Sequence, residues 1–270
     1  MNFFGGGGGG PEIFLKYFDF GKEENVSDEK KIVDCINAIS DAISVCDIDN
    51  FYKNLEKLKK RLNDYDKKYS PSENTGATSQ TTQATDYIFF SVVQKLKDAY
   101  KDITPNDNGT FNSIEVMKWC LDRELYQQAL TICESKIPAQ IISDELIKYD
   151  GDKIKSARKK EYRQHQSPDV DTYVIKNYKY KYDEQDYRRP NSLIAILNDN
   201  EEPVHYNVAD EKNFNIMIKQ YFKICKLRND INHGNGKCSS SKLKEEIEGF
   251  INAYKKIKKK MISRNTSCVI

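Results

Sequence analysis

Apolar residues recur along most of this chain at intervals of three and four, the spacing that lines up one face of an α-helix. Ile32, Ile36, Ile39 and Ile43 keep that interval, with Ser27 placed as an N-cap and acids in the turn behind it. The clearest stripe is Phe51, Leu55, Leu58, Leu62, Tyr65 and Tyr69, with lysines and acids on the opposite face. Residues 86–101 predict a third helix through Ile88, Phe89, Val92, Val93, Leu96 and Tyr100, ended by the turn-forming PNDNG at 105–109. Ser113 is placed to cap a helix running to about Arg123. A second helix follows through Tyr126, Ala129, Leu130, Ile132 and Cys133 to Pro138. The short link between them predicts a tight antiparallel pair anchored by the lone tryptophan, Trp119. From an Asp210 cap, another helix turns Phe214, Met217, Ile218, Tyr221, Ile224 and Cys225 inward. Gly234 and Gly236 close it, and Ser240 or Ser241 caps the last helix. Seven or eight helices and little strand make an all-α chain.

Three stretches break the pattern. Residues 1–11 carry six consecutive glycines, a flexible segment that reads as an engineered seam, and 12–270 read as one helical domain. Residues 70–85 are polar and low in complexity, a mobile loop between helices. Between 150 and 200 the helical period degrades into an insertion with room for a short hairpin. There Tyr178, Tyr180 and Tyr182 alternate with Lys179 and Lys181, so an extended chain puts tyrosines on one face and lysines on the other. That is either an aromatic and basic platform for single-stranded RNA or an insertion whose tyrosines pack on the helical body.

Composition narrows the options. Forty-three basic residues against forty-one acids leave a net charge of +2, so attraction to nucleic acid has to be local. Seven cysteines, odd in number and without a C-x-x-C pair, fit unbridged thiols in a reducing compartment better than a disulfide framework. No signal peptide is visible and no apolar run approaches the roughly eighteen residues of a membrane span. The expectation is a cytoplasmic protein that does not engage a membrane. His165, His205 and His233 are too dispersed for a two-histidine metal motif, and no metal or other cofactor is implied.

The stretch that carries chemistry is Arg228-Asn229-Asp230-Ile231-Asn232-His233, at the end of an apolar helix and before a glycine turn. Histidine suits proton transfer to or from ribose and leaving-group oxygens, because its pKa of about 6.5 lies near working pH. Arginine suits a phosphate, since its planar fork donates two parallel hydrogen bonds and stays charged. Asn229 can orient either partner, and Lys226 stands two residues before Arg228. A looser copy, Arg158 with His165, lacks the adjacent asparagine and a following long helix. The lysines at 255, 256, 258, 259 and 260 are balanced by Glu245, Glu246 and Glu248 and read as a solvated face.

A helix ending in R-N-x-x-x-H, a glycine turn and a long terminal helix resembles the HEPN ribonuclease domain. Trp119, Leu121, Ala129, Leu130, Glu134 and Pro138 further resemble a phrase of the CARF–HEPN ribonucleases of type III CRISPR systems. The likeness covers roughly 30–150 and 205–262, and implies a HEPN-type helical bundle. It also implies a homodimer in which both Arg228–His233 pairs share one cleft. The implied activity is metal-independent cleavage of single-stranded RNA in antiviral defence, leaving a 2′,3′-cyclic phosphate and a 5′-hydroxyl. Catalysis then falls to Arg228, Asn229 and His233, with Lys226, Tyr178, Tyr180, Lys179 and Lys181 as RNA contacts. Cyclic oligoadenylate would act only through a CARF domain, whose alternating strands and helices are not seen here. Two other readings stay open: a HEPN-fold module that binds RNA or protein without cutting, and a HEPN toxin of a toxin–antitoxin pair.

Overall fold

Ser27 opens the first helix as its spacing predicts, its hydroxyl accepting the Lys30 N–H at 3.2 Å. In the computed structural model, residues 27–69, 80–149, 152, 169–175, 207–208, 210–234 and 238–267 are described. The chain is predominantly helical, and its contacts divide it into two compact units, up to Gln128 and from Ala129 onward.

In the first unit, α1 (Asp28–Ser44) and α2 (Ile48–Tyr69) form a helical hairpin. Cys46, at φ 57°, reverses the chain between them, and Asp47 caps α2 by accepting the Asn50 N–H at 3.1 Å. Their apolar stripes are buried: Ile32, Ile39 and Ile43 from α1, and Phe51, Leu55, Leu58, Leu62 and Tyr65 from α2. Helix α3 (Gln80–Tyr100) packs on α2 through Phe89, whose ring meets that of Tyr65 edge-on at 5.3 Å. It starts at Gln80, inside the 70–85 stretch expected to be loop; residues 70–79 lie outside the described residues. The Gln and Thr residues of its first turn carry no apolar period, so the hydrophobic pattern was silent there.

Helix α4 (Ser113–Leu121) differs from expectation at its start. The N-cap position belongs to Asn112, whose side chain makes no capping bond, and Ser113 is the first helical residue. Ser113 is buried, and its hydroxyl instead accepts the Tyr52 hydroxyl at 3.2 Å. Trp119 packs with Phe51 and Tyr100 at ring separations of 6.2 and 6.3 Å, with the Arg123 guanidinium 4.0 Å from its ring. Its place is therefore in the core of the first unit.

Three carboxylates in this unit sit below their ordinary range, Asp47 through the hydrogen bonds it accepts from Asn50 and the other two through lysines. Lys68, then Lys31, lowers Asp28, and Lys97, with Gln94, lowers Asp66. A carboxylate with a depressed folded pKa contributes stability above its unfolded value, and that contribution is lost as pH falls through the folded one. The melting temperature is therefore expected to drop below about pH 4. Asp66→Asn should flatten that acid limb while lowering the melting temperature at neutral pH.

The second unit takes in most of α5 (Tyr126–Ser143), with α6 (Glu211–Asn232) and α7 (Ser240–Ser267). Helix α5 was expected to stop at Pro138, yet it runs on to Ser143 with the proline inside it. Proline removes one donor and costs about 3 kcal/mol in a helix interior. Burial of Ile137, Pro138 and Ile141 offsets that cost. At the end of α5, Asp144 accepts the Tyr254 hydroxyl at 2.8 Å and Lys258 at 2.8 Å, tying α5 to α7. Phe214, Met217, Ile218, Tyr221 and Ile224 of α6 are buried in this unit with Ile247, Phe250, Tyr254 and Ile257 of α7.

Strands β1 (Ile147–Lys148) and β2 (Asn207–Val208) pair antiparallel, Ile147 opposite Val208. They pair the residues on either side of the 150–200 stretch, and the hairpin expected within it falls on residues outside the described ones. Its residues 170–175 are helical, with Tyr173, Val174 and Ile175 buried. Asp171 accepts the Tyr149 hydroxyl at 3.0 Å. The expected tyrosine–lysine platform lies outside the described residues. No helix of the described residues is long and apolar enough to cross a membrane.

Candidate active site

Asp210 starts α6, its carboxylate accepting the Asn213 N–H at 3.2 Å. Hydrogen bonds from Asn213, helped by Lys260, hold its pKa below the ordinary value. Twenty-two helical residues then carry Lys226, Arg228 and Asn229 to the helix end. His233 is the C-cap, at φ −89° and ψ 5°, and its N–H donates to the Asn229 carbonyl at 3.0 Å. Gly234 follows at φ 68° and donates to the Ile231 carbonyl at 3.0 Å. Glycine takes that conformation without strain, so Gly234 ends the helix, while Gly236, expected to close the turn with it, lies outside the described residues. The cap of α7 is Ser239, which accepts the Lys242 N–H at 3.3 Å, and neither Ser240 nor Ser241.

The side chains of the hexapeptide do not cluster. Lys226, Asn229 and His233 are exposed, Asp230 is half-buried, and Arg228 turns toward α5. Five residues along a helix rotate a side chain by about 140° and advance it by roughly 7.5 Å. Arg228 and His233 therefore leave α6 in different directions, and no side-chain hydrogen bond joins Arg228, Asn229 and His233 among the described residues. Tyr178, Tyr180, Lys179 and Lys181 lie outside the described residues, as does the looser Arg158–His165 copy.

What the structure adds is Glu134. Its carboxylate accepts Nη1 of Arg228 in a short ion pair, with side-chain exposures of 35% and 26%. The pair is shielded enough to hold the guanidinium in one orientation, and open enough to leave part of it accessible. The Nε of Arg228 is buried and without a hydrogen-bond partner among the described residues. Glu134 also stands four residues before Pro138, so the α-helical donor to its carbonyl is missing. Sequence reasoning placed Glu134 in the Trp119–Pro138 phrase without a role. Its distance from Arg228, 94 residues along the chain, hid the contact.

The surroundings are otherwise structural. No disulfide joins the six described cysteines. Burial pushes the Cys133 thiol well up and that of Cys120 to about 12, which keeps both protonated and unreactive. Among the described residues no group of three or more His, Cys, Asp and Glu is placed to hold a metal ion. No protein-family model matches the chain, and neither the curated proteins nor the solved structures yield a match.

Proposed function

We propose that this chain is an endoribonuclease that cleaves single-stranded RNA without a metal, using an active site completed by a second copy of itself. The observation that carries this reading is the Glu134–Arg228 pair. The phrase around Glu134 and the hexapeptide around Arg228 resemble HEPN sequences separately, and in the fold they touch. The arrangement suits the chemistry. Glu134 aims a guanidinium whose remaining donors can take a phosphate, and His233 presents an exposed imidazole at a helix end. Because the two side chains diverge within one chain, a dimer is needed to put an arginine and a histidine on the same phosphate. The biological setting this reading favours is the effector half of a CRISPR-linked antiviral protein acting in the cytoplasm.

The direct test is incubation of the full chain with a single-stranded RNA in EDTA. Fragments ending in a 2′,3′-cyclic phosphate, each partner fragment starting with a 5′-hydroxyl, are expected. Intact RNA in the presence of the dimer overturns the proposal. The divergence of Arg228 from His233 also favours a second reading, in which the ion pair is a strut and the fold binds RNA or protein without cutting. Binding without cleavage is the result that selects it.

A further inference from the structure

The exposed face of α6 carries a row of lysines that leads to the hexapeptide, and we infer that it is a track for the phosphates of single-stranded RNA. Lys212, Lys219, Lys223 and Lys226 recur at spacings of seven, four and three. At about 100° per residue, all four fall within roughly 40° of one line along the helix. All four are exposed. The row from Lys212 to Lys226 is about 21 Å long at 1.5 Å per residue, and His233 continues it by roughly 10 Å.

The charge along this stretch of α6 is one-sided. Residues 212–229 include four lysines and Arg228 but no acid, in a chain whose charges nearly cancel. Arg228 turns away from the row to Glu134, and Asp230 lies half-buried at its far end. From α7, Glu246 meets Lys223 at 2.5 Å, while Asp210 at the helix start faces Lys260. The lysine-rich face of α7 is different, since Glu245 and Glu248 are exposed on the same helix. A row of ammonium groups without base-reading side chains fits a phosphate backbone and carries no sequence preference of its own. Ile216, exposed in the same row, breaks the charge without adding an acid.

The track rests on the ribonuclease reading for its direction, toward His233, but its binding can be measured apart from cleavage. The probe is a fluorescein-labelled twenty-nucleotide single-stranded RNA titrated with His233→Ala full chain at several salt concentrations. Adding Lys212→Ala, Lys219→Ala and Lys226→Ala is expected to weaken binding at least tenfold. Three lost phosphate contacts should also reduce the slope of log affinity against log salt by about 2. Lys255→Ala, Lys256→Ala and Lys259→Ala on α7 should leave both largely unchanged. Equal losses from the two triple variants, an unchanged slope, or a dimer that dissociates with the α6 variant would each overturn the track. Wild-type chain that binds RNA through these lysines but never cuts it keeps the track and removes the ribonuclease reading. Cleavage with an unaltered KM in the α6 triple variant does the reverse.

Discussion

On the ribonuclease proposal, His233→Ala is expected to abolish RNA cleavage in EDTA while the protein stays folded and keeps the size-exclusion profile of the wild type. The imidazole is exposed at the C-cap, so its removal should leave the melting temperature nearly unchanged. General acid–base groups contribute roughly 10²- to 10⁴-fold to rate, which brings the variant near background. Arg228→Ala is expected to lose as much activity for a different reason. It removes the proposed phosphate donor and would leave the Glu134 carboxylate facing the substrate phosphate, adding repulsion to the loss. Arg228→Lys should recover little, because one ammonium cannot serve Glu134 and a phosphate with the geometry of a planar fork. Activity retained in both alanine variants would remove the hexapeptide from the chemistry.

The second large effect is expected at Glu134. Glu134→Ala frees the guanidinium from its only described partner and, on the ribonuclease proposal, lets it rotate away from the substrate phosphate. Misplacing a reacting group by about 1 Å costs on the order of 10²-fold in rate, so kcat should fall by one to two orders of magnitude with a smaller change in KM. Glu134→Gln keeps an acceptor oxygen at the same place and should recover most of the rate. Stability is a separate readout. Losing a hydrogen bond to a charged, partly exposed group is worth about 1–2 kcal/mol. A Glu134→Ala variant that melts lower but cleaves as fast as wild type, per folded protein, would make the pair a strut alone.

Helix existence was legible because its causes are local. The stripes of α1, α2, α6 and α7, the Ser27 and Asp210 caps and the Gly234 turn all depend on residues within one or two turns of each other. The same local logic missed the α7 cap, which is Ser239, and misjudged three other places. Pro138 looked like a stop, but buried neighbours hold α5 together through it. Ser113 looked like a cap, but the core took its hydroxyl for Tyr52. Gln80 looked like loop, because a polar first turn has no apolar period to read.

The candidate site divides along the same line. The sequence by itself determined that an arginine, an asparagine and a histidine stand at the end of an apolar helix before a glycine, since spacing and turn chemistry are properties of contiguous residues. Only the tertiary structure decided that Arg228 is bound by Glu134 and turned away from His233, and that Asp144 binds Tyr254 and Lys258. Those partners lie 94 to 114 residues apart in the chain, and helix–helix packing, which no local pattern encodes, brings them together.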